Sequence, residues 1–194
     1  MRPFALMFAA LTILACAGQA QAQFFDSRGY QSEAPSFFGG GGASPIPRTT
    51  VDYPTNYAPG TIVVNTAERR LYLVQGNGQA LRYGIGVGRD GFRWGGVHKI
   101  TAKKEWPDWT PPPEMIQRQP YLPRFMAGGP GNPLGARAMY LGTTVYRIHG
   151  TNRPDTIGTK VSSGCFRLVN NDVADLYDRV PVGTKVVIRQ KPEL

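Results

Sequence analysis

Cysteine and histidine are scarce in this chain of 194 residues: each occurs twice. Cys16 lies inside an apolar N-terminal run, so Cys165 has no intramolecular partner once that run is removed. A disulfide framework within the fold is thereby excluded. His98, His149 and one cysteine at scattered spacing form no recognisable ligand set, so no metal and no cofactor are expected. Acidic residues are also few, 13 against 22 Lys and Arg, giving a formal net charge of +9. The basic residues are scattered, as at Arg69-Arg70, Lys103-Lys104, Arg137 and Arg153, with no stripe interleaved with aromatics. Nucleic acid is a poor partner for such a chain; an anionic polymer or an acidic membrane surface suits it better. A long hydrophobic run is missing too, because Phe4 to Cys16 is too short for a comfortable membrane span.

What the N-terminus does carry is an export pattern. Arg2 precedes the apolar run, and Ala20-Gln21-Ala22 forms an A-x-A cleavage signal. Residues 1–22 are expected to be a signal peptide and the mature protein to be exported, to the periplasm. Ile13-Leu14-Ala15-Cys16 also resembles a lipoprotein processing site, through which Cys16 would carry a lipid anchor. The leucine at its second position and the A-x-A site downstream favour a soluble form.

Residues 23–59 read as a Gly/Pro-rich linker, with a four-glycine run at 39–42 and prolines at 35, 45, 47, 54 and 59. From Gly60 to about residue 190 the pattern changes to a folded domain. Thr61–Asn65, Arg70–Val74 and Leu81–Val87 are β-branched and aromatic runs, with a Gly76-Asn77-Gly78 turn before the third. They predict a meander of hairpins. Further strands are expected at Val97–Ala102, Ala138–His149 and Lys185–Ile188. A proline-rich excursion from Lys104 to Gly135 holds Trp106 and Trp109 and reads as a lid or wall. Val173, Leu176, Tyr177 and Val180 at i, i+3, i+4 and i+7 predict a helix, with Asn171 as its cap. The fold class expected is mainly β, with one or two short helices.

His149 and Cys165 lie sixteen residues apart, in Ile148-His149-Gly150-Thr151-Asn152 and Ser162-Ser163-Gly164-Cys165-Phe166-Arg167-Leu168. An imidazole that removes a thiol proton makes a thiolate able to attack a carbonyl. The flanking Gly150 and Gly164 allow close approach of backbone, or N–H groups aimed at an oxyanion. A lone cysteine also suits the bland reading of a small buried hydrophobe.

These strings resemble the L,D-transpeptidases with a YkuD-type catalytic domain, bacterial wall enzymes that use cysteine. Asn132-Pro133-Leu134-Gly135, Met139-Tyr140-Leu141-Gly142, Asn170-Asn171-Asp172-Val173 and Val182-Gly183-Thr184-Lys185-Val186 are similar to family segments as well. The resemblance runs from about Gly60 to Arg189. One departure stands out: the family's usual histidine two residues before the cysteine is Ser163 here.

The resemblance implies a YkuD-like β-sandwich of mixed sheets and a reaction on peptidoglycan stem peptides. Cys165 is then the nucleophile and His149 the proton donor and acceptor. The Gly150 carbonyl orients His149, and the Cys165 and Gly164 N–H groups serve the oxyanion. The acyl acceptor is a second stem peptide, an outer-membrane lipoprotein or another amine; water would make the enzyme an L,D-carboxypeptidase. A non-catalytic wall-binding module is the reading from another class. Carbapenems are the implied inhibitors. Arg167 either grips a substrate carboxylate or braces the loop through an acidic residue. Ser163 contacts substrate or orients the turn. Tyr146 and Asn132 line the cleft or, respectively, fill core and form a turn. Trp106 walls the stem peptide or simply packs.

Overall fold

The computed structural model describes residues 43–191. The expected signal peptide, Cys16 and the linker up to residue 42 lie outside the described residues. Within them run eleven strands and two helices: β1 Thr49–Asp52, β2 Ile62–Asn65, β3 Arg70–Gly76, β4 Gln79–Gly84, β5 Val87–Gly88, β6 Gly96–Glu105, α1 Pro113–Arg118, β7 Arg137–Leu141, β8 Arg147–His149, β9 Lys160–Ser162, β10 Phe166–Arg167, α2 Asn170–Arg179 and β11 Lys185–Arg189.

Nine strands pair in the order β1-β4-β3-β2-β11-β6-β7-β8-β10, and β5 pairs with β9 separately. The sheets are mixed: β2–β11, β8–β10 and β5–β9 are parallel, the other pairs antiparallel. Strand β6 is the hinge of the architecture. Its first residues, Gly96–Lys99, pair with β11, while Ile100–Glu105 pair with β7 across an irregularity between Ile100 and Ala102. Such a bulge bends a strand and increases its twist, so one strand serves two sheet segments.

The alternation of side chains explains why the strands are apolar on both faces. Ile62, Val64, Leu71, Leu73, Leu81, Tyr83, Val186 and Ile188 point into the main core, with Ile100, Met139, Ile148 and Phe166. Val63, Tyr72, Val74, Ala80 and Val187 point the other way, under Tyr53. A strand covered on both sides loses the polar-out pattern of a half-exposed one.

That second cover revises the expected linker. Residues 49–52 form β1 against β4, and Tyr53 stacks on Tyr72 with ring centroids 4.6 Å apart. Arg48 reaches Asp175 at 3.0 Å. The prolines there delimit an edge strand rather than a tether, since an edge strand tolerates a missing N–H on its outer side. The single strand expected from Ala138 to His149 is instead a hairpin, β7–β8, turned through Gly142 at φ +59°.

Helix α2 presents Val173 and Leu176 to the core as expected, and Val180, just past its end, joins them there. It starts at Asn170 rather than after a capping Asn171; Val169 precedes it and no side chain caps it. At its other end Lys103 Nζ donates to the carbonyls of Tyr177 (2.6 Å) and Val180 (2.8 Å). A cation on the last carbonyls satisfies otherwise orphaned acceptors and suits the helix dipole. The excursion before β7 is an ordered loop. Trp109 and Met126 exchange two 2.8 Å backbone hydrogen bonds, and the Trp106 N–H donates to Ala136 at 2.8 Å.

Candidate active site

Strand register builds the site. In the parallel pair β8–β10, Ile148 faces Phe166 and His149 faces Arg167. Ile148 and Phe166 are 0% and 1% exposed and enter the core. Side chains alternate along a strand, so their neighbours Arg147, His149 and Arg167 leave on the opposite face; Cys165 immediately precedes β10, where Arg147 and Arg167 act on its thiol. The sequence separation of sixteen residues is thus closed by two short strands and the loop between them.

His149 is buried, and its Nδ1 lies 2.6 Å from the Gly150 carbonyl. A carbonyl only accepts, so Nδ1 carries the proton and Nε2 keeps the lone pair. Burial, followed by the nearby Arg167 and Arg147, pushes the imidazole down to about 3, against the favourable carbonyls of Gly150 and Leu134. The ring is therefore a neutral base near pH 7.

Cys165 is a free thiol, half-buried at the turn before β10. Burial pushes its pKa up, opposed by the Arg147 backbone N–H and by the charges of Arg147 and Arg167. The thiol makes no hydrogen bond to the imidazole, so thiol and imidazole rest as two neutral groups rather than as an ion pair.

The turn carrying the thiol is tightly held. Ser162 Oγ donates to the Cys165 carbonyl at 2.6 Å and accepts from the Gly164 N–H at 3.2 Å. Gly164 has φ +111°, and a Cβ there would run into the Tyr146 ring. Trp94 stacks on Tyr146 at 4.2 Å, and its Nε1 donates to the Gly164 carbonyl at 2.7 Å.

These contacts place the expected residues. The Gly164 N–H, expected at the oxyanion, is engaged by Ser162. The neighbouring Cys165 N–H has no partner among the described residues and is the donor left for that role. Tyr146 is half-buried beside the thiol turn, wedged between Trp94 and Gly164. Arg167 has no carboxylate partner among the described residues, and its Nε is buried without a hydrogen bond. An acidic brace for it is therefore absent there. Ser163 is half-exposed, and its hydroxyl has no hydrogen-bond partner among the described residues.

Two residues sit elsewhere. Asn132 is 1% exposed, with its amide donating to the carbonyls of Met126 and Ala127 and its Oδ1 accepting from the Leu134 N–H. It staples the loop and has no free polar atom for substrate; turn formation wins over cleft lining. Trp106 is anchored through its backbone to Ala136 at the base of the excursion, where Gly128 packs on its carbonyl. Trp94 and Asn170 were not singled out by sequence reasoning. Their partners lie 70 and up to 34 residues away, beyond any local pattern. Among the described residues no cluster of His, Cys, Asp or Glu could hold a metal ion.

Known proteins carry the same domain. The L,D-transpeptidase catalytic domain family, YkuD, matches residues 59–188. The probable L,D-transpeptidase ErfK/SrfK of Escherichia coli K12 is 44% identical over 140 residues, which cover 68% of this chain and 44% of that protein. The chain thus spans about half the length of the curated relatives it matches. A Brucella melitensis chain, described as a probable carnitine operon oxidoreductase, is 50% identical with a TM-score of 0.51, covering 75% of this chain and 94% of that one. L,D-transpeptidase 3 of Mycobacterium tuberculosis, in complex with a faropenem-derived adduct, shares the fold at 14% identity and a TM-score of 0.50, covering 68% and 60%. With the family model matched over residues 59–188 and a curated relative 44% identical, this chain belongs to the L,D-transpeptidase catalytic domain family.

Proposed function

We propose that the protein is an exported, periplasmic L,D-transpeptidase acting on peptidoglycan stem peptides through a thioester on Cys165. The observation that supports this reading is the β8–β10 register, which pairs His149 with Arg167, whose charge also acts on the Cys165 thiol next in sequence to β10.

His149 Nε2 takes the Cys165 proton as Sγ attacks the carbonyl between the third stem residue and the terminal D-alanine. The developing oxyanion takes a hydrogen bond from the Cys165 N–H. The C–N bond then breaks, the imidazolium returns its proton to the leaving nitrogen, and D-alanine departs. An amine from a second stem peptide, or from an outer-membrane lipoprotein, attacks the thioester and frees the thiol. Arg167 grips a stem-peptide carboxylate in this scheme; a fork of donors matches that group. Two neutral catalytic groups are consistent with it, because proton transfer accompanies attack rather than preceding it.

Incubation with a stem tetrapeptide, followed by chromatography and mass measurement, separates the readings. Released D-alanine together with a 3-3 linked dimer supports the transpeptidase. Tripeptide without dimer would make it an L,D-carboxypeptidase. Unchanged tetrapeptide, with the protein folded and reduced, would support a wall-binding module instead.

A further inference from the structure

Asn170 opens α2, is 1% exposed, and points away from the helix toward two loops. Its Oδ1 accepts from the Ala136 N–H at 3.0 Å and from the Thr151 N–H at 3.2 Å. Gly135 and Gly150 both lack room for a Cβ because this same oxygen stands there. The Thr151 N–H and the Gly150 carbonyl are the two ends of one planar peptide unit. That carbonyl is the one 2.6 Å from His149 Nδ1. Fixing the N–H at one end aims the oxygen at the other.

We propose that Asn170 is a positioning residue for the catalytic base: it orients the Gly150–Thr151 peptide so that the Gly150 carbonyl holds the His149 proton on Nδ1 and leaves Nε2 free. The inference rests on His149 as the proton carrier of the proposed reaction.

The rest of the surroundings agree. The Gly150 N–H donates to Arg137 at 3.0 Å and the Leu168 N–H donates to the His149 carbonyl at 2.9 Å, so the backbone on both sides of the imidazole is tied. The Ala136 bond tethers the segment that follows Leu134, whose carbonyl also favours the protonated ring. The Asn170 amide nitrogen, by contrast, is buried without a partner among the described residues. Only the oxygen of this side chain is engaged, which marks it as an acceptor and makes aspartate the conservative replacement.

The chain has only two histidines, so ring nitrogen-15 spectra at neutral pH resolve His149 once a His98→Gln protein assigns the other. Wild type should show the Nδ1–H tautomer. Asn170→Leu and the smaller Asn170→Ser should show mixed tautomers and about 10²-fold slower acylation by a carbapenem, at the low end of what a positioned base contributes. Asn170→Asp should restore the Nδ1–H spectrum. A folded Leu or Ser variant that keeps the wild-type tautomer overturns the proposal, even where its acylation is slowed through lost stability. Should neither fold, loss of the Nδ1–H tautomer in Asn170→Asp overturns it instead. The spectra need no substrate, so they stand apart from whether wild type forms an adduct at all.

Discussion

His149 and Arg167 are register partners across the parallel β8–β10 pair, so an imidazole and a guanidinium leave the sheet side by side. The imidazole is buried enough to feel the guanidinium's charge. The guanidinium disfavours an imidazolium and favours a thiolate at Cys165, so one residue acts on both groups.

Replacing Arg167 by alanine should therefore move both groups upward: the thiol further above its usual range, and the imidazole back toward 6.5. Iodoacetamide alkylation of Cys165 across pH reads the first shift, and His149 ring titration reads the second. Stem-peptide turnover should fall as well, through KM, while Arg167→Lys keeps the charge but loses the fork. Unchanged alkylation and titration in Arg167→Ala would show that the guanidinium does not act on either group.

The Trp94 indole gives a second prediction. Trp94→Phe keeps the stack on Tyr146 but loses the bond to the Gly164 carbonyl, costing about 1 kcal/mol. Trp94→Ala loses both and should cost about 3 kcal/mol or more with a mobile thiol turn. Denaturant unfolding and carbapenem acylation rates, measured together, check the order wild type, Phe, Ala.

Gly164→Ala is expected to be worse for function than for folding. Position 164 sits at φ +111° with Tyr146 where a Cβ would go, so the turn must shift. The strain is about 1–3 kcal/mol, borne next to Cys165. The expected result is a folded protein whose Cys165 still alkylates but acylates much more slowly; a wild-type acylation rate would contradict it.

Stability against pH contains two opposing terms. His149 binds its proton at about 3 when folded and near 6.5 when unfolded, so between those values the unfolded state holds the extra proton. Its contribution is full above 6.5 and lost as pH falls toward 3, at about 1.4 kcal/mol per unit. Asp172 runs the other way: burial raises it to about 6, so its contribution is full below 3.8 and lost as pH rises toward 6. The two nearly cancel from pH 4 to 6. Carboxylates held low by an arginine, such as Asp90 beside Arg93 and Asp155 beside Arg153, act below 3.8 and stay out of that window. Asp172→Asn should expose stability that rises with pH over 4 to 6, and His149→Gln stability that falls; equal slopes in the two variants would contradict the assignment.

Much of this fold is written in local pattern. The Gly76-Asn77-Gly78 turn forms the β3–β4 hairpin with all three residues at positive φ, and the apolar stripe of α2 faces the core. Cys165 and His149 stood out as candidates because the motif around each is short and contiguous. What escaped was set by distant partners. Trp94 looks like one more aromatic until Gly164 is seen beside it, and Asn170 looks like one more polar residue beside the expected cap Asn171 until two loops converge on its oxygen. The strand β1 hid among prolines because its partner, β4, lies some thirty residues on. The Gly164 N–H was misassigned because the Ser162 hydroxyl that takes it can be placed only once the turn is built.

The central claim is that Cys165 is a working nucleophile, and intact-mass measurement after incubation with a carbapenem tests it most directly. A β-lactam offers a strained carbonyl to the same thiol, so the readout needs no knowledge of the natural acceptor. The account predicts one adduct per chain on the wild type, none on Cys165→Ala, and slow formation on His149→Gln. A folded, reduced wild-type protein that stays unmodified, or a Cys165→Ala protein that still gains the adduct, would contradict it.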